Sequence, residues 1–468
     1  MRQLPRRSDW LAASLPQPIL AFDAPAIPSA MNRPFATREN LIVVSMLSCL
    51  TALGCSNAAP DAPAETIQVG AILPFTGKEA ALGRNIEQAM LLAMEDVNAA
   101  GGIDGTPLEV VSRDSNSGSE RGLNELLNLI YNDKVQYLVG PEETDLANAI
   151  VSDVKSLNIT NILPGYAAPS VQRASATGAW YRLAPAAFDI GCAFARHAED
   201  DGVVSANALS MTDDYNATLA SSFNQQYSVS GRVLPSVTVQ ANQSSYSGAI
   251  KRALDFKPER TVLNANPATG AELITEWAIG DGRGAWYLSP LLRADAFVIN
   301  VPYGSLAGLL GISPSLSLKS ECDTLSGFDH GAISCKRTNA TRFSAHFAAR
   351  WSGTQPFAAS RLYYDAVVLL AMGMRYAMAT TSKIPSAPVL HRLILQLNNA
   401  DNPPARWYDL ETAFATLDSG KQLRFVGSGA EYSFDRYGAA QHVVFDTWTV
   451  AGQSFVDTGS YYASCNPL

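Results

Sequence analysis

The residues equipped for chemistry in this chain are few and widely spaced. Its five histidines are scattered. His197 and His346 sit in helical stretches among alanine and aromatic neighbours, where packed or surface roles are expected. No G-x-S-x-G elbow, Walker loop or zinc-ligand spacing occurs, and "GSGAEY" lacks the third glycine of a dinucleotide-binding loop. No metal and no cofactor is expected. The six cysteines say more. Cys55 ends the apolar run "SMLSCLTALGC", directly before the small and polar "SNAAPDAPAE". Cys322 and Cys335 bracket the loop-like "DTLSGFDHGAIS". Side chains suited to holding a small ligand gather in "GPEETDL", where Glu142, Glu143 and Thr144 follow a short apolar run. This inventory points to anchoring and binding rather than to catalysis.

The apolar segment from Leu41 to Gly54 is too short to span a bilayer comfortably. It reads as the core of a secretory signal, with Arg33 and Arg38 as its basic flank. Met31 is an alternative start to Met1, which makes residues 1–30 either an over-extended gene start or a leader. "TALGC" resembles the lipobox of bacterial lipoproteins, which implies that Cys55 becomes a lipidated N-terminus. An ordinary cleaved signal, or lipidation at Cys49, is the alternative. Residues 1–54 are therefore read as leader and lipoprotein signal peptide, and 55–65 as a tether. Export to an oxidising compartment makes the remaining cysteines disulfide candidates. Cys322 and Cys335 are the expected pair, and closing so short a loop contributes roughly 3 kcal/mol. Cys192 and Cys465 remain as a pair by elimination.

The elements that must position these residues alternate. "TIQVGAILPF" reads as a buried strand, and in "RNIEQAMLLAMEDVNAA" Ile86, Ala89, Met90, Ala93, Met94 and Val97 fall on one helical face. "GGIDG" stops that helix, "PLEVVSRDS" is a strand, "GLNELLNLIYND" a helix and "VQYLVGP" a strand. The order βαβα with nearly all-apolar strands implies a parallel sheet covered on both faces. A second unit of the same kind follows "YRLAP". At 468 residues the chain has room for both cores. Its net charge of −9, without a basic block, excludes nucleic acid as a natural partner.

The opening "IQVGAILPFTGKEAALGRNIEQAMLLAMEDVNAAGGIDGTPLEVVSRDS" resembles the first strand–helix–strand unit of the type I periplasmic binding proteins, in their branched-chain amino-acid receptor branch. "ILPGYAAP", "TDDYN", "YSGAIKRAL", "FAARWSGTQPFAASRLYYDAVVLLAMGM" and "YSFDRYGAAQHVVFDTWTV" carry the resemblance onward, over about residues 66 to 455. It implies an α/β fold of two Rossmann-like three-layer lobes joined by a three-crossing hinge. One lobe would comprise residues 66–184 and 312–432, the other 185–311 and 433–468. The long stretch "SPSLSLKSECDTLSGFDHGAISCKRTNATR" is expected as an insertion in the first lobe. The function implied is that of an extracytoplasmic solute-binding protein, at the periplasm or cell surface. It would bind an amino acid or related small molecule, meet the transmembrane permease of an ABC importer, and touch the membrane through its lipid. The alternative is a sensing or scaffold lipoprotein of the same fold.

By the same resemblance, Thr144 matches a hydroxyl residue that binds a ligand carboxylate, though it would equally cap a helix. Tyr166 is able to close over a ligand, and Ala167 brings no side-chain donor where the family usually has Ser or Thr. Tyr215 matches a tyrosine lining the cleft, with packing at a strand end as the alternative. Asn266 falls at another pocket position. Leu291 stands where amino-acid-binding members carry an acid for the ligand ammonium. Burying an ammonium without a partner costs several kcal/mol. An α-amino acid therefore requires Glu142, Glu143 or Asp214 to substitute, and a short acid, an amide or an aromatic fits as well.

Overall fold

A computed structural model describes residues 65–463, apart from 78, 143, 166–179, 281, 283, 324–329, 436–437 and 441–443. It begins with β1 (Ile67–Leu73). Val69, Ala71 and Leu73 enter one core and Ile72 another. A strand that feeds apolar side chains to both faces must be covered on both, which makes three layers. α1 (Ala80–Ala99) leads to β2 (Leu108–Asp114), which pairs in parallel from Ile67 opposite Leu108 to Leu73 opposite Asp114. α2 (Ser119–Tyr131) precedes β3 (Tyr137–Val139). α3 (Thr144–Ala149) and α4 (Val151–Ser156) precede β4 (Thr160–Leu163), and β5 (Trp180–Arg182) completes the sheet. The order is β2-β1-β3-β4-β5, and every pairing is parallel. On α1 the face seen in the sequence is buried, with Met94 only partly so.

The second lobe opens with α5 (Ala187–Asp200), β6 (Ser205–Met211) and α6 (Asp214–Tyr227), followed by the short β7 (Arg232–Val233) and β8 (Val237–Val239). α7 (Ser247–Leu254), β9 (Arg260–Asn264), α8 (Pro267–Gly280) and β10 (Trp286–Leu288) continue the alternation. After the short α9 (Asp295–Val298) come β11 (Leu310–Pro314) and β12 (His330–Ile333). α10 (Thr338–Arg350), α11 (Ala358–Thr381), α12 (Ala387–Leu397), β13 (Pro404–Arg406), α13 (Leu410–Asp418) and β14 (Arg424–Val426) follow. β15 (Val444–Ala451) and β16 (Ser454–Ala463) end the described chain. The second sheet runs β12-β16-β15-β11-β10-β9-β6-β7, with β8 also on β6. No helix among the described residues is long and apolar enough to cross a membrane.

α10 to β14 return to the first core, where Phe343, Tyr364, Trp407 and Phe425 pack with β1 and α1. Polar ties fix α10 and α11 on α1. The Tyr364 hydroxyl donates to Asp96 at 2.6 Å, and His346 Nε2 lies 2.9 Å from the same carboxylate. Asp365, fully buried on α11, accepts from the Ser428 and Gly429 backbone N–H groups and from the Tyr432 hydroxyl. Burial pushes its pKa up to about 6 in spite of those bonds.

The chain crosses between the lobes at 183–186, at 334–337 and again before β15. The first and third crossings run side by side: Arg182 N–H donates to the Gly438 carbonyl, and Ala440 N–H to that of Arg182. The second is anchored by Arg337, paired with Asp446 on β15 at 2.8 Å and with Asp457 on β16. One expectation needs correction here. The long stretch before α10 does not build on the first lobe, because β11 and β12 both belong to the second sheet, β12 pairing antiparallel with β16. An open strand edge offers unsatisfied backbone groups, and the inserted strand satisfies them. Cys322 and Cys335 are disulfide-bonded across an antiparallel bridge at its base. Cys192, buried on α5, is also disulfide-bonded, while Cys465 lies outside the described residues, as does Cys55.

Candidate ligand-binding cleft

In a parallel α/β sheet the ligand site lies beyond the carboxyl ends of the strands. In the first lobe β3 is followed by Gly140, whose φ of +95° suits glycine. The chain then passes Pro141 and Glu142 to Thr144, the first residue of α3. Tyr363, fully buried on α11, rises beneath this loop and donates its hydroxyl to Glu142 Oε2 at 2.9 Å. The neighbouring strand, β4, ends at Leu163 and is followed by Pro164 and Gly165. A Cβ on Gly165 would stand 2.5 Å from Glu142 Oε2, so the missing side chain is what lets the carboxylate nest there. Glu142 thus spans the mouths of β3 and β4.

At the mouths of β1 and β2, Asp114 gathers the loop. It accepts from Phe75 N–H at 2.9 Å, Asn116 N–H at 2.9 Å and the Thr76 hydroxyl at 2.6 Å. Burial alone would raise its pKa, but the Thr76 hydroxyl and the backbone donors outweigh that and hold it below the ordinary value.

In the second lobe, Asp213 caps α6, accepting from Asn216 N–H at 3.1 Å and Asn216 Nδ2 at 2.8 Å. Asp214 beside it is exposed. Tyr215 is buried in that lobe's core, in the first turn of α6. Asn266 spends its Oδ1 on Thr269 N–H at 2.8 Å, which caps α8. Leu291 lies in the single turn Pro290–Leu292 and packs half-buried on the second core, with Leu292 fully buried beside it. The Thr144 side chain and all of Tyr166 and Ala167 lie outside the described residues.

Arg182 lies where the first and third crossings run side by side. This last residue of β5 is 5 % exposed, and its Nε and Nη1 have no hydrogen-bond partner among the described residues. Burial lowers its pKa, and the carboxylates of Asp189 and Asp435 raise it back in part. Asp189 is pushed up to about 6 by burial, less what Arg182 and the Ala186 N–H recover. Neither Arg182 nor Tyr363 stood out as a site residue in the sequence. Arg182 carries a usable signal, a lone charge inside the apolar "WYRLAP", whereas Tyr363 hides in a helix apolar on most sides. Among the described residues no three His, Cys, Asp or Glu side chains are grouped to hold a metal.

The model of the family described as "Periplasmic binding protein" matches residues 66–387, more than half of the chain. The chain belongs to that family. Its members are extracytoplasmic binding proteins rather than enzymes. Among curated relatives, Leu/Ile/Val-binding protein homolog 3 of Brucella melitensis is 32% identical over 119 residues, covering 25% of this chain and 31% of the relative. Homolog 4 of Brucella abortus is 24% identical over 256 residues, covering 52% and 60%. This periplasmic binding protein thus matches less than two thirds of either relative's length. Among solved structures, the leucine binding protein LivK of Thermotoga maritima superposes with a TM-score of 0.66 at 16% identity, covering 84% of this chain and 98% of that one. LivJ of Streptococcus pneumoniae, in complex with isoleucine, gives 0.63 at 17% identity, covering 84% and 100%. A solute binding protein of R. palustris, in complex with benzoate, gives 0.61 at 18% identity, covering 86% and 98%. At these identities the likeness is one of fold.

Proposed function

We propose that this protein is the solute receptor of an ABC importer, binding an amino acid or related small molecule between its lobes. The observation that carries the reading is the pair of α/β lobes joined by crossings that run side by side, Arg182 N–H donating to the Gly438 carbonyl and Ala440 N–H to that of Arg182. Lobes that close over a small molecule turn about a few residues where the chain passes between them. In this reading the first lobe comprises β1 to β5 with α10 to β14, and the second comprises the rest. Thr144, Tyr166 and Ala167 would line the cleft from the first lobe, and Tyr215, Asn266 and Leu291 from the second. Lipid on Cys55 would hold the receptor at the membrane, in reach of a transmembrane permease.

The test is a thermal-shift screen of the full chain against branched-chain, aromatic and acidic amino acids, short acids, amides and phenolic acids. A ligand at a hundred times its Kd adds about 2.7 kcal/mol of stability. Lipidation is checked by intact mass, which should show the chain beginning at an acylated Cys55. A second reading, a sensor or scaffold of the same fold, draws on the apolar Leu291 and on the use of Asn266 as a helix cap. A silent screen would favour it.

A further inference from the structure

We infer that Glu142 is the counter-charge for a protonated amine on the ligand, so that the cleft selects amine-bearing ligands and orients the amine toward the first lobe. The inference rests on the receptor reading above. Three acids could serve as that counter-charge, Glu142, Glu143 and Asp214. Asp214 is exposed in the first turn of α6, and its neighbour Asp213 has both oxygens engaged by Asn216. Glu143 lies outside the described residues. Glu142 is half-buried, at the mouths of β3 and β4 together.

Its carboxylate is held in place rather than free to swing. The buried Tyr363 hydroxyl fixes Oε2, and the surface of Gly165 receives it. A fixed, partly desolvated carboxylate attracts an ammonium far more strongly than a solvated one, because little solvent is left to screen the pair. In the second lobe the turn after β10, Pro290–Leu292, holds no acid, and Leu291 is its only residue that is not buried. An oriented carboxylate on the first lobe, with no acid in that turn of the second, suits a ligand that carries an ammonium. Tyr363 is then a positioning residue, and Gly165 the gap that admits the carboxylate.

Calorimetric titration of the full chain with matched pairs tests this: leucine against 4-methylpentanoate, and phenylalanine against 3-phenylpropanoate. The expected result is that an amine-bearing member binds and its amine-free partner binds about tenfold or more weakly. Glu142→Gln keeps an acceptor for Tyr363 and the side-chain shape while removing the charge. It should bring the pair to parity, by weakening the amine-bearing member. Tyr363→Phe should weaken the same ligand by a smaller factor. Equal binding of the two partners by the wild type, or a preference that Glu142→Gln leaves unchanged, overturns the inference while the receptor reading stands. If no member of any pair binds, the amino-acid receptor reading falls, and this inference with it.

Discussion

Glu142 and Gly165 form one device made of two residues distant from each other in the chain. In Gly165→Ala the new methyl group would meet the end of a flexible side chain, which can move away. We expect the carboxylate to be displaced, ligand affinity to fall, and stability to change by less than about 1 kcal/mol. Calorimetry and thermal melts on the same variant separate the two effects. His391 offers a test by pH. It is buried on α12, its ring 4.4 Å from that of Tyr181, and burial lowers its pKa to about 4. The fold therefore favours the neutral ring. Its contribution to stability is complete above the ordinary histidine pKa of about 6.5 and is lost as pH falls toward 4. That loss is on the order of 3 kcal/mol. Asp189 and Asp365 work in the opposite sense, since burial raises both to about 6 and the fold favours their protonated forms. Comparing His391→Gln with the wild type by chemical denaturation at several pH values isolates the histidine term. The variant should lose less stability between pH 6.5 and 4.

At the scale of elements, periodicity told most of the story. Alternate faces of β1 and the stripe on α1 appear in the fold as they read in the sequence, because a buried surface constrains every residue that contributes to it. The stretch around Cys322 and Cys335 was legible as an insertion and as a disulfide loop, but not in its allegiance. Which open edge an added strand joins depends on which edge is near, and the sequence holds no record of that. Here β16 was the edge. Replacing both Cys322 and Cys335 by Ser should cost roughly 3 kcal/mol. Hydrogen exchange should show the loss first in β12 and at the start of α10, where Glu321 accepts from Asn339 N–H at 2.7 Å. Uniform loosening of the whole chain would contradict a local staple.

At the scale of the whole molecule, an all-parallel sheet and a mixed sheet are joined at crossings whose neighbourhood is charged. Arg182 balances Asp189 and Asp435 there. Arg182→Met should leave two carboxylates near each other in protein surroundings, at a cost of about 3 kcal/mol. A denaturation midpoint unchanged from the wild type would show that the charge there is not needed.

The sequence by itself determined the class of fold, the tandem of two α/β lobes and the pairing of Cys322 with Cys335, since each is written in local pattern: strand hydrophobicity, helical spacing, a short bracketed loop. It also marked the loop holding Glu142. Only the tertiary structure decided what that loop does with it. Tyr363 lies over two hundred positions along the chain, and Gly165 belongs to another strand, yet the three meet because parallel strands deliver their ends to one edge of the sheet. Proximity of that kind is a product of packing, and no spacing along the chain encodes it.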